Sequence, residues 1–220
     1  MSSLTPKEVI AKRVAQEFKD GQLVNLGVGI PTLVPKYLPD GVQVWLESEN
    51  GIIGGGPPAE PGQEDPFCVD AGKFNCTIKP GGCTFNSQVS FGLIRGGHLD
   101  YTVLGAFQVS QTGDIANWMI PGGKLAGMGG AMDLVTGAKK VIVATEHCDR
   151  NGGSKILKEC TYPLTGEGVV DFIVTELAFI EVTDKGLVLR EISPETSVEE
   201  VVSKTGVQLI VADDVKVMAV

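Results

Sequence analysis

Two carboxylates and a run of glycines lie close together in the stretch Glu47-Ser48-Glu49-Asn50-Gly51, which is followed by Gly54-Gly55-Gly56. A glutamate carboxylate can act as a nucleophile that holds a substrate fragment covalently between two half-reactions. Glycines let a ligand approach the backbone closely, because they carry no Cβ. These residue types and their spacing indicate an active-site turn with Glu49 as the reactive group.

The residues before this turn have the periodicity of a β-strand. Val42, Val44 and Leu46 alternate with polar or amphipathic neighbours, and Asn-Gly is a turn dipeptide. A strand would therefore deliver Glu49 to the carboxyl end of a sheet, where open α/β sheets bind their ligands. Glu47 and Glu49 are two residues apart and would face the same side, so one of them should take up a proton more readily.

Two further glycine stretches lead from strands or loops into helices. A predicted strand over Leu23–Val28 opens into Gly27-Val28-Gly29 at its end, and Gly127–Leu134 is a glycine run that becomes a helix. Such junctions expose backbone N–H groups that can bind anions or stabilise an oxyanion, although tight packing alone also explains them. Neither stretch completes a dinucleotide-binding or P-loop pattern. Asn25 lies within the first strand, and a buried amide there must be hydrogen-bonded.

The Ser-Glu-Asn-Gly turn followed by two aliphatic residues and glycine resembles the active-site signature of the family I coenzyme A transferases, β-subunit type. Other stretches resemble the same family in order and spacing, and together they cover most of the chain: Asn25–Pro31, Leu93–His98, Ala116–Trp118, Gly127–Leu134 and Glu146-His147. The resemblance is greatest to bacterial acetoacetate, butyrate or succinyl-CoA:3-oxoacid transferases. One departure is Glu47, because that family usually has Gln or His at this position.

The resemblance implies a ping-pong transfer of coenzyme A between an acyl-CoA and a short-chain carboxylic or 3-oxo acid through a glutamyl-CoA thioester on Glu49. It also implies that the Gly130 amide stabilises the oxyanion and that Asn25 helps to hold the pantetheine arm. Gly27, Gly29, Gly129 and Ala131 would line the coenzyme A site. Coenzyme A would be substrate and covalent intermediate, with no permanently bound cofactor and no metal.

A partner is implied as well, since such transferases resemble two related halves and this chain has no Gly-x-Gly-Gly-Phe motif of the other half. The expected partner is the α subunit, in a heterodimer or an α2β2 heterotetramer. Three alternatives stay open: an acyl-CoA hydrolase on the same scaffold, a sugar-phosphate isomerase of similar fold, and a non-catalytic ligand-binding regulatory domain.

Composition limits the other possibilities. The 220 residues predict one domain, 1–220, and the net charge of −9 argues against nucleic acid as a partner. Five cysteines with no C-x-x-C pair predict free thiols in a cytoplasmic protein. His98 and His147, the two histidines, show no ligand spacing for zinc and are expected to be structural. No targeting segment and no apolar run long enough for a membrane are apparent.

The pattern of elements predicts a three-layer α/β/α fold with an open, mixed, mostly parallel sheet. Thr5-Pro6-Lys7-Glu8 predicts the start of a helix that runs to about Asp20. A turn is expected at Lys79–Gly82 and a helix over Phe85–Arg95. Thr183–Gly186 predicts a hairpin, and a last helix is expected over Thr196–Thr205, capped by Thr196 and Glu199, before a strand at Val207–Val211.

Overall fold

The computed structural model describes residues 4–123, 125 and 127–220. This part of the chain contains four α-helices, α1 to α4 in chain order: Pro6–Ala15, Ser87–Arg95, Ala131–Gly137 and Val198–Lys204. A 3-10 helix spans Ile30–Tyr37. Thirteen strands, β1 to β13, complete the described elements: Leu23–Leu26, Trp45–Ser48, Ile52–Gly55, Ile78–Thr84, Tyr101–Leu104, Gln108–Ser110, Ile115–Ala116, Lys140–Ala144, Ile156–Leu157, Phe172–Val174, Ala178–Thr183, Gly186–Ile192 and Ile210–Val217. None of the described helices is both long enough and apolar enough to cross a membrane.

Ten strands form one mixed sheet in the order β13-β12-β11-β10-β8-β5-β1-β2-β3-β4. The central strands β10, β8, β5, β1 and β2 are all parallel, whereas β2, β3 and β4 pair antiparallel at one end. β11 and β12 form the predicted antiparallel hairpin. Three short strands form a separate sheet in the order β7-β6-β9.

Helices cover both faces of the large sheet. One core contains Ile94 of α2, Leu134 of α3 and Val201 of α4, and the other contains Ile10 of α1 and Val34 of the 3-10 helix. Neighbouring residues of a strand alternate between the two cores, because successive side chains of a strand point to opposite faces. The predicted three-layer α/β/α arrangement is therefore confirmed.

The first helix begins as predicted but ends early. Thr5 caps it, with both hydrogen bonds of a capping box to Glu8, and Pro6 occupies the first position. The helix ends at Ala15 rather than near Asp20, because the next three amides donate to carbonyls three residues back instead of four. Phe18 still reaches the core, as expected.

Two strand boundaries also differ from the prediction. β2 begins at Trp45 rather than Val42, because Gln43 pairs with the turn at Asp20–Gly21 and not with a neighbouring strand. Lys79–Gly82 lies within β4 rather than in a turn. The β3–β4 register shifts beside this stretch, and Gly81 has a φ of 86°, so glycines accommodate a bulge within the ladder.

The last helix and strand are shifted along the chain. Ser197, not Thr196, caps α4, since its side chain accepts from the Glu200 amide. Thr196 instead donates to the Glu200 carboxylate. β13 spans Ile210–Val217 and pairs parallel with β12, so the predicted Val207–Val211 strand covered only its beginning.

Candidate active site

The sheet order reverses around β1, since β2 lies on one side of this strand and β5 on the other. In open α/β sheets such a reversal leaves a crevice at the carboxyl ends of the strands, where ligands bind. Glu49 follows directly after the last residue of β2, Ser48, and so lies at this crevice. Glu49 thus follows the carboxyl end of a strand, as the strand pattern predicted.

A tight turn holds Glu49 at this place. The Gly51 amide donates to the Ser48 carbonyl at 2.8 Å, and Gly51 has a φ of 117°, which only glycine adopts readily. The Phe85 amide donates to the Gly51 carbonyl at 2.9 Å and ties the turn to the end of β4. A Cβ at Gly51 would lie 1.9 Å from the Phe85 carbonyl oxygen, so no larger residue fits here.

A loop over residues 57–77 packs against the same turn. The Asn50 side chain donates to the Val69 carbonyl at 2.7 Å. The Ser48 hydroxyl accepts from the Ala71 amide at 2.8 Å. The residues that flank Glu49 in sequence therefore anchor the loop, a contact that the Ser-Glu-Asn-Gly signature does not reveal by itself.

Below the turn, polar side chains from three adjacent strands form one row across the sheet. Asn25 of β1 is in register with Glu47 of β2 and with Thr102 of β5. All three are nearly inaccessible, with exposed fractions of 2%, 3% and 0%. The Asn25 side-chain nitrogen donates to Glu47 Oε2 at 2.8 Å, and Thr102 Oγ1 donates to Asn25 Oδ1 at 3.4 Å. The expectation that Asn25 must be hydrogen-bonded is confirmed.

Asn25 also links the two glutamates. Its side-chain nitrogen lies 3.4 Å from Glu49 Oε2, in addition to its shorter contact with Glu47. The two carboxylates are thus neighbours, as the two-residue spacing predicted. Ser90 of α2 completes the cluster by donating to Glu47 Oε1 at 2.9 Å.

Burial is the main cause of the unusual titration of Glu47. It raises the pKa of this carboxyl from 4.5 to about 7, against the opposing effect of the hydrogen bonds from Asn25 and Ser90. The negative charge of Glu49 raises this pKa further. Glu47 is therefore a buried carboxyl that takes up a proton more readily than an exposed glutamate does.

Gly130 lies directly against the Glu49 side chain. A Cβ at Gly130 would be 3.2 Å from Glu49 Cγ and 3.2 Å from Phe91 Cζ, so the absence of a side chain permits this approach. Gly130 is the residue that precedes α3. No described residue accepts a hydrogen bond from its amide, whereas the Ala131 amide donates to the Met128 carbonyl at 3.1 Å.

The other predicted glycines differ in their surroundings. The Gly27 amide donates to the Val103 carbonyl at 2.8 Å. A Cβ at Gly27 would lie 2.9 Å from Leu104 Cδ2, so this residue serves close packing between β1 and β5. Gly29 and Gly129 have positive φ values of 100° and 53°. No described atom lies within 4 Å of the place that a Cβ would take at either residue, so open space adjoins both.

Three residues of this cluster were missed from the sequence: Ser90, Phe91 and Thr102. Ser90 and Phe91 lie on α2, and Thr102 lies on β5. A serine on the buried face of the predicted Phe85–Arg95 helix is a signal that could have identified Ser90, since a buried hydroxyl requires a partner. Phe91 and Thr102 carry no comparable signal.

His147 is structural, as expected. It is fully buried, and its Nδ1 and Nε2 atoms each lie 3.0 Å from a threonine hydroxyl, those of Thr175 and Thr205. Burial lowers its pKa from 6.5 to about 4, with a smaller effect from the charge of Lys204. Within the described part of the chain, no group of three or more His, Cys, Asp or Glu side chains is arranged to hold a metal ion.

Comparison with known proteins extends the similarity over nearly the whole chain. The coenzyme A transferase family profile matches residues 7–204. The acetate CoA-transferase subunit beta of Haemophilus influenzae is 51% identical over 217 residues, which are 99% of this chain and 97% of that protein. The mitochondrial succinyl-CoA:3-ketoacid coenzyme A transferase 2A of Rattus norvegicus is 51% identical over 95% of this chain, which spans 41% of that longer protein.

A solved structure shows the same fold. The apoenzyme of an acyl-CoA transferase from Escherichia coli O157:H7 superposes with a TM-score of 0.77 over 99% of this chain. The sequence identity is 22%, and the match covers 44% of that chain, so this chain spans under half of its length. The predicted fold class is confirmed by this similarity.

Proposed function

The chain belongs to the coenzyme A transferase family and is the β subunit of such an enzyme, and from this premise we propose that Glu49 is its catalytic nucleophile. The observation that carries the proposal is the position of Glu49. It stands on a tight turn at the carboxyl end of β2, 3.4 Å from the Asn25 side-chain nitrogen, and its side chain lies beside Gly130. A reactive group must be held in this way if it is to meet a substrate carbonyl in productive geometry.

The reaction proceeds in two balanced half-reactions. A Glu49 carboxylate oxygen attacks the acyl-CoA carbonyl and expels the coenzyme A thiolate, which leaves a mixed anhydride. The thiolate then attacks the glutamyl carbonyl, so that the donor acid leaves as a carboxylate and a glutamyl-CoA thioester remains. An acceptor acid reverses these steps, and the energy of the thioester is never released to water.

Gly130 supplies the oxyanion donor in this proposal. Negative charge develops on the carbonyl oxygen during each attack, and a preorganised N–H directed at that oxygen is worth about 3 to 4 kcal/mol. The Gly130 amide has no described acceptor and lies beside Glu49, which suits this role. The Ala131 amide is already used within the chain, so Ala131 would serve by contact rather than as a donor.

Coenzyme A is a substrate of this enzyme family, and we assign its binding to the crevice beside β1. Asn25 would help to hold the pantetheine arm, as the family resemblance implies. Gly29 and Gly129 adjoin open space and would let the coenzyme approach the backbone, and Ala131, the first residue of α3, would also contact it. Gly27 contributes by shaping the start of the crevice rather than through its amide, which is bonded within the sheet. No permanently bound cofactor is part of this proposal.

The first test is covalent loading of Glu49. We expect that the complete enzyme, mixed with an acyl-CoA and no acceptor acid, gains the mass of coenzyme A at Glu49, and that borohydride reduction marks the same residue. Glu49→Ala should abolish loading and transfer. Glu49→Asp should fail nearly as completely, because the shorter side chain withdraws the attacking oxygen by more than about 1 Å.

A matched control is Glu195→Ala, which removes an exposed glutamate between β12 and α4. This variant should keep full activity and should still be loaded at Glu49. Full transferase activity in Glu49→Ala would contradict the proposed nucleophile.

The second test concerns the partner. The relatives are named as β subunits, and we propose that this chain acts with an α subunit, in a heterodimer or an α2β2 heterotetramer, with the substrate enclosed between the chains. The isolated chain should show no transferase turnover, and adding the α subunit should restore it. Substantial turnover by the isolated chain would refute this division of the site.

The acyl pair is proposed from the relatives' names. Those names include acetate and succinyl-CoA:3-ketoacid transferases, so we propose short-chain carboxylic and 3-oxo acids as acceptors. A panel of acyl-CoA donors against acetate, acetoacetate, butyrate and succinate, with the complete complex, would identify the pair. An acyl-CoA hydrolase is the alternative function, and it would release free coenzyme A at a rate that does not depend on the acceptor acid.

Two predictions from the sequence stay predictions. One is the cytoplasmic location, which rests on the cysteine pattern; the five cysteines carry no disulfide. The other is that residues 1–220 form one domain, which is consistent with a ten-stranded sheet whose strands come from Leu23 to Val217.

A further inference from the structure

Glu47 is a buried carboxyl that the transfer mechanism does not use. It is 3% exposed, and both its oxygens are engaged, Oε2 by the Asn25 amide at 2.8 Å and Oε1 by the Ser90 hydroxyl at 2.9 Å. No described Lys, Arg or His forms an ion pair with it. The charged group that acts on it is Glu49, which carries the same sign.

The surroundings of Glu47 accommodate a proton without a change of geometry. A buried carboxylate without a cation is costly, and protonation removes that cost. A serine hydroxyl can donate or accept a hydrogen bond. Protonated Oε1 of Glu47 would therefore donate a hydrogen bond to the Ser90 hydroxyl, while Oε2 continues to accept from Asn25. Both hydrogen bonds of the cluster would then persist with Glu47 neutral.

Asn25 connects this proton to the nucleophile. Its side-chain nitrogen faces two carboxylates, Glu47 at 2.8 Å and Glu49 at 3.4 Å. Hydrogen bonds to a charged oxygen are about twice as strong as those to a neutral one. Ionised Glu47 would therefore draw the amide away from Glu49 and repel the Glu49 carboxylate, whereas neutral Glu47 does neither.

We propose that Glu47 is a positioning residue that works in its neutral form, in which it leaves the Asn25 amide available to orient Glu49 as the single negative charge of the site. The inference rests on the proposed role of Glu49. It assigns a function to Glu47, Thr102 and Ser90, which the transfer mechanism leaves without one. Its consequence is that ionisation of Glu47 weakens the attack by Glu49 on an acyl-CoA.

The test is the pH dependence of kcat/KM for the acyl-CoA donor, measured with the complete subunit complex. With the pKa of Glu47 at about 7, about one tenth of the enzyme carries neutral Glu47 at pH 8, so kcat/KM should fall about tenfold between pH 6 and pH 8. Glu47→Gln keeps a carbonyl oxygen for Asn25 and an N–H for Ser90 but cannot ionise. This variant should be active and should lose the alkaline fall.

A second variant, Ser90→Ala, changes the pKa of Glu47 without replacing Glu47 itself. The Ser90 hydrogen bond lowers the pKa of Glu47, so Ser90→Ala should move the alkaline fall of kcat/KM to higher pH. Infrared spectra of the unmutated complex should also show a neutral carboxyl band that disappears with a midpoint near pH 7, and this band should be absent in Glu47→Gln. A purely structural role for Glu47 predicts neither result.

The outcomes separate this inference from the proposed function. If Glu49→Ala keeps full transferase activity, the proposed nucleophile fails, and this inference fails with it. If Glu49→Ala is inactive but Glu47→Gln falls with pH in parallel with the unmutated complex, only the positioning role is overturned. If Glu47→Gln does not assemble, the other two measurements decide. The positioning role is overturned if Ser90→Ala leaves the alkaline fall of kcat/KM at the same pH and the unmutated complex shows no neutral carboxyl band.

Discussion

Gly51→Ala perturbs the turn that presents Glu49, and the structure gives the size of the disturbance. Gly51 has a φ of 117°, which an alanine adopts only with strain. The new Cβ would also lie 1.9 Å from the carbonyl oxygen of Phe85, whereas real Cβ atoms essentially never come within 3.0 Å. The turn and the end of β4 must therefore separate by about 1 Å.

Three costs contribute to the expected loss of stability. Backbone strain at a positive φ costs about 1 to 2 kcal/mol. The separation also weakens the hydrogen bond from the Phe85 amide to the Gly51 carbonyl, worth about 1 kcal/mol. Repacking of β4 against the turn adds about 1 to 2 kcal/mol. We expect a total of about 3 to 5 kcal/mol, and a melting temperature lower by about 10 °C in a chain of this length.

Gly152→Ala is a matched control, because Gly152 has a φ of 84° but no described atom lies within 4 Å of its Cβ position. This variant should show the strain alone, about 1 to 2 kcal/mol and a melting temperature about 4 °C lower. Thermal unfolding of both variants, at equal protein concentration and in the same subunit complex, measures the difference. Transfer activity below the melting temperature should fall in Gly51→Ala, because Glu49 is displaced, and should be unchanged in Gly152→Ala.

Equal melting temperatures for the two variants would refute the reasoning. The contact with Phe85 would then contribute nothing, and the position of Glu49 would have to be fixed by other interactions. A Gly51→Ala variant that melts early but keeps full activity would contradict only the second half of the argument, the link between the turn and the nucleophile.

Two further predictions concern stability against pH, with opposite signs. Because the pKa of Glu47 is raised from 4.5 to about 7 in the folded chain, its contribution of about 3 kcal/mol is complete below pH 4.5 and is lost as the pH rises through 7. As the pH rises from 5 to 8, the urea midpoint of Glu47→Gln should therefore increase relative to that of the unmutated protein. A difference between the two midpoints that stays constant with pH would contradict this. Because the pKa of His147 is lowered from 6.5 to about 4, its contribution of about 3 kcal/mol is complete above pH 6.5 and is lost as the pH falls through 4. His147→Gln should not lose this stability at acid pH. Urea midpoints that fall equally in the variant and the unmutated protein between pH 6.5 and pH 4 would refute this contribution of His147.

The sequence predicted the parts of the site that lie close together along the chain. The Asn50-Gly51 turn, the same-side placement of Glu47 and Glu49, and the hydrogen-bonding demand of Asn25 all follow from local rules of strand and turn geometry. The Thr5 capping box was predicted for the same reason, since its partners are three residues apart.

Other features depend on contacts between distant segments and could not be predicted in this way. Ser90 meets Glu47 across 43 positions of sequence, and no spacing rule relates the two. The alternation at Val42 and Val44 has strand periodicity, but Gln43 pairs with a turn, so pattern alone placed the start of β2 too early. A glycine pair next to proline indicates a turn, yet Gly81 and Gly82 lie in β4, where a bulge makes the same conformational demand.

The in-register row of Thr102, Asn25 and Glu47 also bears on how the chain reaches its native state. A slip of one residue between β1 and β2 would turn the side chains of one strand to the opposite face of the sheet. Glu47 would then be buried beside Val24 or Leu26, without the amide that satisfies it, and such a group costs at least about 1 to 3 kcal/mol. The row therefore destabilises a sheet in which β1 and β2 pair in the wrong register. A substitution such as Asn25→Leu would remove this energy difference between correct and shifted pairing, and it would also remove a hydrogen-bonding neighbour of Glu49.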